Sequence, residues 1–278
     1  MGSGEPLGVA WIHGSPSAKH NTDPDLQVYW YDEHTVLLRQ NKAIHYEAPF
    51  LYLLFGGQRA VLLDTGATAS PDLFPLRQTV DELVRTWLVR NPRPGYGLVV
   101  LHTHSHGDHV AGDGQFRDRR DTIVVGADRD AAWAYLGFAS DPDGVRHLDL
   151  GGRVLEALAT PGHNTAAITF YDPRTEFLLT GDTVYRGRLY IEDWAEFSRS
   201  IDRLIAFADD RPVTHVLGCH IEMTREPGID YPVRTTYQPD EPPLEMTPTH
   251  LRAVRAALDE VGPHPERRAF ADFILWPV

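Results

Sequence analysis

His104-Ser105-His106-Gly107-Asp108-His109 places three imidazoles and a carboxylate in six consecutive positions. Imidazole nitrogens and carboxylate oxygens are the donors that zinc and related divalent ions prefer. In an extended or irregular segment alternate side chains point the same way, so His104 and His106 converge on one point. Asp108 and His109 turn past Gly107 toward a second point beside it. The run therefore has room for two metals. It follows Leu98-Val99-Val100-Leu101, a short apolar stretch that reads as a buried strand. Ligands set where such a strand stops stand on a rigid base and still face solvent.

The same arrangement recurs along the chain. Val61-Leu62-Leu63 ends in Asp64, Leu178-Leu179-Thr180-Gly181 ends in Asp182, and His215-Val216-Leu217-Gly218-Cys219 ends in His220. Thr160-Pro161-Gly162-His163 precedes the apolar stretch from Ala166 to Tyr171. Each polar residue sits where an apolar run meets a glycine or a turn.

This ordered set, Asp64, the His-x-His-x-Asp-His run at 104–109, His163, Asp182 and His220, resembles the metallo-β-lactamase superfamily of metal-dependent hydrolases over residues 45–225. The resemblance implies an α+β fold, an αββα sandwich of two mixed β-sheets with helices on both outer faces and metals at one edge. Carried over position by position, it implies His104, His106 and His163 on one metal and Asp108, His109 and His220 on the other. Asp182 is implied as the bridge between them. Asp64 is implied as the group that holds the ligand loop in place.

The chemistry expected of such a site is hydrolysis. Two metals sharing one water lower its pKa from about 15.7 toward roughly 7, and they polarise the acyl oxygen under attack. No serine or cysteine nucleophile is needed, and Cys219 is read as a packing residue. Asp108 is expected to orient the nucleophile or to carry its proton to the leaving group. Two zinc ions are the expected cofactors; iron, manganese, cobalt or nickel suit the same donors. Many true β-lactamases of the superfamily carry cysteine or serine at the position of Asp182. The aspartate here resembles glyoxalase II, the lactonases and related ester or thioester hydrolases. Lactonases of that group place a tyrosine where Tyr185 stands, so Tyr185 is expected to donate to the developing oxyanion or the leaving group. Arg186 and Arg188 are expected to be solvated surface charge. Hydrolysis of a β-lactam is the alternative reaction. A mononuclear iron enzyme resembling the persulfide dioxygenases, and a metal-binding module without activity, are the other readings.

Composition narrows the partners. The 278 residues are 42% hydrophobic, enough for a sizeable core. The formal net charge of −13, from 39 acidic and 26 basic residues, repels nucleic acid and anionic membranes. A small acyl compound is the expected partner, with neither nucleic acid nor membrane; oligomeric state is left open. The single cysteine precludes an internal disulfide, and the first residues show no secretory pattern, so a cytoplasmic location is expected.

Residues 1–24, rich in Gly, Pro and Ser, are expected to form an N-terminal arm or loose edge, and residues 25–278 the hydrolase domain. Strands are expected at Gln27–Tyr31, Thr35–Gln40, Phe50–Phe55, Ala60–Asp64, Thr122–Val125, Arg153–Leu158, Ala166–Tyr171, Glu176–Thr180, Thr214–Leu217 and Phe270–Trp276, with a turn at Gly56-Gly57. Helical spacing appears around Val80–Leu88, Asp128–Leu136, Glu192–Ala208 and, behind Thr247-Pro248, through Val261. The proline-rich stretch Glu222–Thr247 leaves directly after His220. It is expected either to wall a substrate pocket with Tyr231 and Tyr237 or to strap across the last helix.

Overall fold

The computed structural model of the chain describes residues 5–278. Two mixed sheets form the centre. The first has six strands in chain order: β1 (Leu26–Asp32), β2 (Thr35–Gln40), β3 (Phe50–Phe55), β4 (Arg59–Leu63), β5 (Gly97–Leu101) and β6 (Thr122–Val124). Its first three pairings are antiparallel, and β4–β5 and β5–β6 are parallel. The second contains β7 (Arg146–Asp149), β8 (Val154–Ala159), β9 (Ile168–Asp172), β10 (Phe177–Gly181) and β12 (His215–Gly218) in the order β12-β10-β9-β8-β7. Only β10–β12 is parallel there.

Strand alternation explains why these runs read as continuously apolar: both faces are buried. On β4, Val61 and Leu63 point into the space between the sheets while Ala60 and Leu62 point outward. On β5, Val99 and Leu101 face inward and Leu98 and Val100 outward. Phe177 and Leu179 of β10 meet them from the second sheet. The outer face of the first sheet is covered by α1 (Leu76–Arg90) through Leu76, Val80, Leu83, Val84 and Trp87. That helix has no side-chain N-cap. Five buried side chains at about 2 kcal/mol each outweigh a missing cap worth about 1 kcal/mol, so packing places the helix.

The second sheet's outer face is covered by α4 (Trp194–Asp209) and α5 (Pro248–Val261), with Phe197, Ile201, Leu204, Leu251, Val254 and Leu258 in one cluster. Asp193 caps α4 by accepting from the Glu196 N–H at 2.9 Å. Thr247 caps α5 with Pro248 in its first turn, as the sequence suggests. The molecule is thus the αββα sandwich expected.

Two further helices, α2 (Gly107–Val110) and α3 (Arg129–Leu136), are short, and Asp128 caps the latter. A third sheet was not anticipated: β11 (Arg188–Ile191) pairs parallel with β14 (Ile274–Pro277), which pairs with β13 (Arg268–Ala269).

The N-terminal arm is anchored by buried side chains between residues 7 and 14, while residues 19–24 are half-buried or exposed; residues 1–4 of that arm lie outside the described chain. Leu7, Trp11 and Ile12 are buried, and the Trp11 ring meets Phe50 edge-on at 4.9 Å. The proline-rich stretch after His220 is a strap, and its Met246 joins the cluster that packs the last helix. It lies against this arm, where Gln238 N–H donates to His13 O at 2.8 Å, and against the C-terminal segment, where Gly228 N–H donates to Ala271 O. The Tyr231 hydroxyl accepts from the strap's own Asp240 N–H, and the Tyr237 backbone bridges to Gly14 with its ring 5.9 Å from that of His13; both tyrosines are half-buried.

Candidate metal centre

The parallel pairs β4–β5 and β10–β12 end at one edge of the sandwich, and the connection from β8 to β9 turns over the same edge. Asp64, His102–His109, His163, Asp182 and His220 therefore arrive together. Backbone ties stitch the edge across both sheets: Ile168 N–H donates to Thr103 O at 2.7 Å and Phe50 N–H to Cys219 O at 2.8 Å. Gly107 opens the single turn of α2 with His106 as its extended N-cap residue. This turn separates the directions of His106 and His109, the divergence the sequence suggested.

Three groups of ligand-type atoms form, and two of them hold the seven residues expected as ligands. His104, His106 and His163 make the first. Their facing nitrogens are 3.1 Å apart for His104–His106 and His106–His163, and 3.3 Å apart for His104–His163. Three nitrogens on a tetrahedral zinc ion, about 2.05 Å from each, stand about 3.3 Å apart. Asp108, His109, Asp182 and His220 make the second. His220 Nε2 is 3.3 Å from His109 Nε2 and 3.2 Å from Asp108 Oδ2. Asp182 Oδ2 lies 3.5 Å from His109 Nε2 and 3.4 Å from His220 Nε2, and 3.9 Å from Nε2 of both His104 and His163. Its other oxygen is buried without a hydrogen-bond partner. Nitrogens crowded this closely, beside an orphaned carboxylate oxygen, fit divalent cations in both groups.

The outer nitrogens are held so that the inner ones offer lone pairs. His163 Nδ1–H donates to Tyr190 O at 2.8 Å, and His220 Nδ1–H to Glu47 O at 3.0 Å. His109 Nδ1–H donates to Asp64 Oδ2 at 2.8 Å. The Asp64 carboxylate also accepts from Thr103 N–H at 2.7 Å and Thr103 Oγ1–H at 2.8 Å. Asp64 is therefore a brace behind His109, and its left-handed φ of +66° is one of few such conformations outside glycine. Asp64, His109 and Cys219 make the third group, with the buried Cys219 Sγ 3.5 Å from the Asp64 carboxylate, on the side of the ligands rather than opposite them.

Charge divides the two groups. Burial, helped by the neighbouring His109 ring, pushes His104 well below the ordinary histidine range, and burial also lowers His163. Both then present neutral nitrogens. His109 and His220 go the other way: burial opposes their charge, but Asp182 and Asp108 outweigh it and hold both imidazoles protonated. The same contacts keep Asp108 and Asp182 ionised against burial. A divalent ion entering the second group displaces those protons.

Two expectations need correction. Tyr185 is buried, and its hydroxyl is engaged by Arg188 O and, at 3.1 Å, by Glu222 Oε2. A phenol has one proton, so this one is directed into the protein and away from an oxyanion in the cleft. Arg188 is not solvated surface charge. It is buried and paired with Glu222 and Asp230. Arg186 is part-buried and pairs with Asp272.

The remaining histidines stay outside both groups. His102 is buried against Asp113 at 2.8 Å, His215 bonds Glu5 O, and His147 is exposed. Asn164 was missed. Its amide reaches His106 Nε2 at 3.3 Å and its carbonyl accepts from Ser105. Adjacency to His163 was its only signal. Thr165, two residues after His163, is exposed.

The chain is similar to known proteins in sequence and in fold. The family model described as the metallo-beta-lactamase superfamily matches residues 48–220. Hydroxyacylglutathione hydrolase of Rhizobium meliloti (strain 1021) is 29% identical over 153 residues, covering 54% of this chain and 56% of that protein. The protein of the same name from Ruegeria pomeroyi is 32% identical over 154 residues, covering 53% and 56%. The chain thus spans a little over half the length of these curated relatives. Among solved structures, a metallo-β-lactamase from Erythrobacter litoralis superposes with a TM-score of 0.58 at 13% identity, over 86% of this chain and 99% of that one. One from Pontibacter korlensis superposes with a TM-score of 0.53 at 18% identity, over 84% and 99%. At such identities the likeness is one of fold.

Proposed function

The chain belongs to the metallo-β-lactamase superfamily, and we propose on that basis that it is a dinuclear metal-dependent hydrolase of a small acyl compound, with a thioester first, then an ester or lactone. The observation that carries this reading is the position of Asp182 Oδ2, within 3.4–3.9 Å of histidine nitrogens of both groups. Hydroxyacylglutathione hydrolase is the name its curated relatives carry, which favours an acyl–sulfur bond as the one cleaved.

Divalent cations, zinc first, supply an acidified water and a Lewis acid for the acyl oxygen when bound. His104, His106 and His163 would hold one, Asp108, His109 and His220 the other, and Asp182 both. The chain's own residues do the rest. Asp64 fixes the tautomer of His109 by accepting its Nδ1–H, and the Tyr190 and Glu47 carbonyls do the same for His163 and His220. Asp108 has a fifth of its side chain exposed and His106 more than a third, whereas His104 and His109 are closed off. The substrate therefore approaches over His106 and Asp108. Asp108 accepts a proton from the attacking water and returns it to the departing thiol or alcohol. No helix among the described residues is long and apolar enough to cross a membrane. A cytoplasmic place is part of the proposal, supported by the lone buried thiol of Cys219.

The test is a hydrolysis screen of the zinc-loaded enzyme over thioesters, lactones, β-lactams and phosphodiesters, with His106→Ala as control. Turnover of a thioester, ester or lactone with two metal equivalents, reduced at least about a hundredfold by His106→Ala, is expected. Turnover of β-lactams alone, or one iron per chain with oxygen consumption, would refute it.

A further inference from the structure

Arg188 lies on β11, six residues after Asp182, and donates five hydrogen bonds that reach the segment behind His220, the strap and Tyr190. Nη2 donates to Glu222 Oε1 at 2.6 Å, and the Arg188 backbone N–H donates to Glu222 Oε2 at 2.7 Å. Nη1 donates to Asp230 Oδ2 at 2.8 Å and to Tyr231 O at 2.7 Å in the strap. Nε donates to the Tyr190 hydroxyl at 3.1 Å. The Tyr185 hydroxyl closes the circuit onto Arg188 O and Glu222.

The circuit touches the backs of three ligands. Glu222 follows His220 by two residues. Tyr185 follows Asp182 by three, and its ring stands edge-on to the His220 ring at 5.6 Å. Tyr190, on the same strand as Arg188, supplies the carbonyl behind His163. Gly187 leaves the room for this: a Cβ there would fall 2.3 Å from the Tyr185 ring and 2.6 Å from Glu222 Oε2. Apolar residues of matching shape often stabilise a fold as well as a buried ion pair does. A pair with so many bonds to ligand-bearing segments calls for a role beyond stability.

We propose that Arg188 and Glu222 form a positioning clamp that sets the separation of the two metal positions. They hold the Tyr190 carbonyl behind His163 and the Tyr185 ring against His220, and they anchor the strap at Asp230 and Tyr231. The clamp rests on the dinuclear reading of the site. Arg188 and Glu222 are positioning residues: neither side chain belongs to the two ligand groups.

A comparable pair provides the control. Arg153 and Asp172 are also buried, at 2.5 Å, and Arg153 ties the sheets together at the opposite edge through His34 O and Thr35 Oγ1. Zinc affinity is measured by titration of chelated wild type, Arg188→Lys, Glu222→Gln and Arg153→Lys, with cobalt absorption spectra as a second readout. Lysine at 188 keeps the charge and loses the fork, so it tests geometry. Arg188→Lys and Glu222→Gln are expected to bind zinc about tenfold or more weakly and to shift the cobalt spectrum. Arg153→Lys is expected to unfold at lower denaturant while keeping wild-type affinity and spectrum. If Arg188→Lys does not fold, Glu222→Gln decides alone. Wild-type affinity in folded Glu222→Gln, or an equal loss in Arg153→Lys, overturns the clamp. If wild type itself takes up no stoichiometric divalent ion, the dinuclear reading fails instead.

Discussion

Lys42 carries an amine into the interior between the strap and the loop that leaves β2. It is almost wholly buried, and its Nζ donates to Tyr46 O at 3.0 Å. Burial, reinforced by Arg39, pulls it down to about 8 from its ordinary 10.5, against the opposing pull of Glu241, Glu222 and Glu47. A depressed lysine penalises the folded state while it remains charged. Between about 8 and 10.5 the unfolded chain holds a proton that the folded chain has released, so stability rises with pH through that window. The gain amounts to about 3 kcal/mol. Lys42→Met is expected to lack this gain, so that wild type rises relative to the variant across the window in urea titrations of the zinc-loaded protein. Parallel curves would show that Lys42 stays charged. At this scale legibility followed sequence locality. The seven ligand-type residues announce themselves because each borders an apolar run or crowds into six positions. Arg188 does not: its partners Glu222 and Asp230 are 34 and 42 residues away, and an arginine seen alone looks like surface charge. Tyr185 misled for the same reason, because offset from Asp182 says nothing about where a hydroxyl points.

Gly162 couples an element to the site. It joins β8 to His163 with φ of +133°, and a Cβ there would lie 2.4 Å from the backbone of Phe197. Its carbonyl also accepts from Glu192 and Asp193, which brings the N-terminus of α4 against the His163 loop. Gly162→Ala must displace one or the other. Phe197 is fixed in the core, so the loop moves and the His163 nitrogen leaves its triangle with His104 and His106. The expected result is a folded protein whose first metal is held at least about tenfold more weakly, read by zinc titration. Full affinity would mean that α4 yields instead. Elements with two buried faces or a broad apolar stripe were legible within a residue or two, as β2, β3 and α5 show, while α1 begins four residues before the Val80 that marked it. The elements missed are short. A four-residue strand such as Arg188–Ile191 holds too few periods to stand out, and its pairing with the chain's last strand is decided by contacts far apart in sequence.

At the scale of the whole molecule, stability and chemistry occupy different places. Three apolar clusters, one between the sheets and one beneath each helical layer, are built without any of the seven ligand-type residues. The ligands lie along one edge, on the ends of strands that those clusters already fix. Metal should therefore be an addition to a finished fold, unlike the small zinc domains that collapse without it. A ligand present at a thousand times its dissociation constant adds about 4 kcal/mol. For 278 residues that corresponds to a midpoint shift of roughly 5–10 °C. Chelation is expected to abolish hydrolysis and lower the thermal midpoint by that amount, while the near-ultraviolet dichroism of the packed tryptophans and a single cooperative transition persist. A chelated chain that loses its near-ultraviolet signal or melts without cooperativity would show that the edge holds the sandwich together, and the separation of core from site would be wrong.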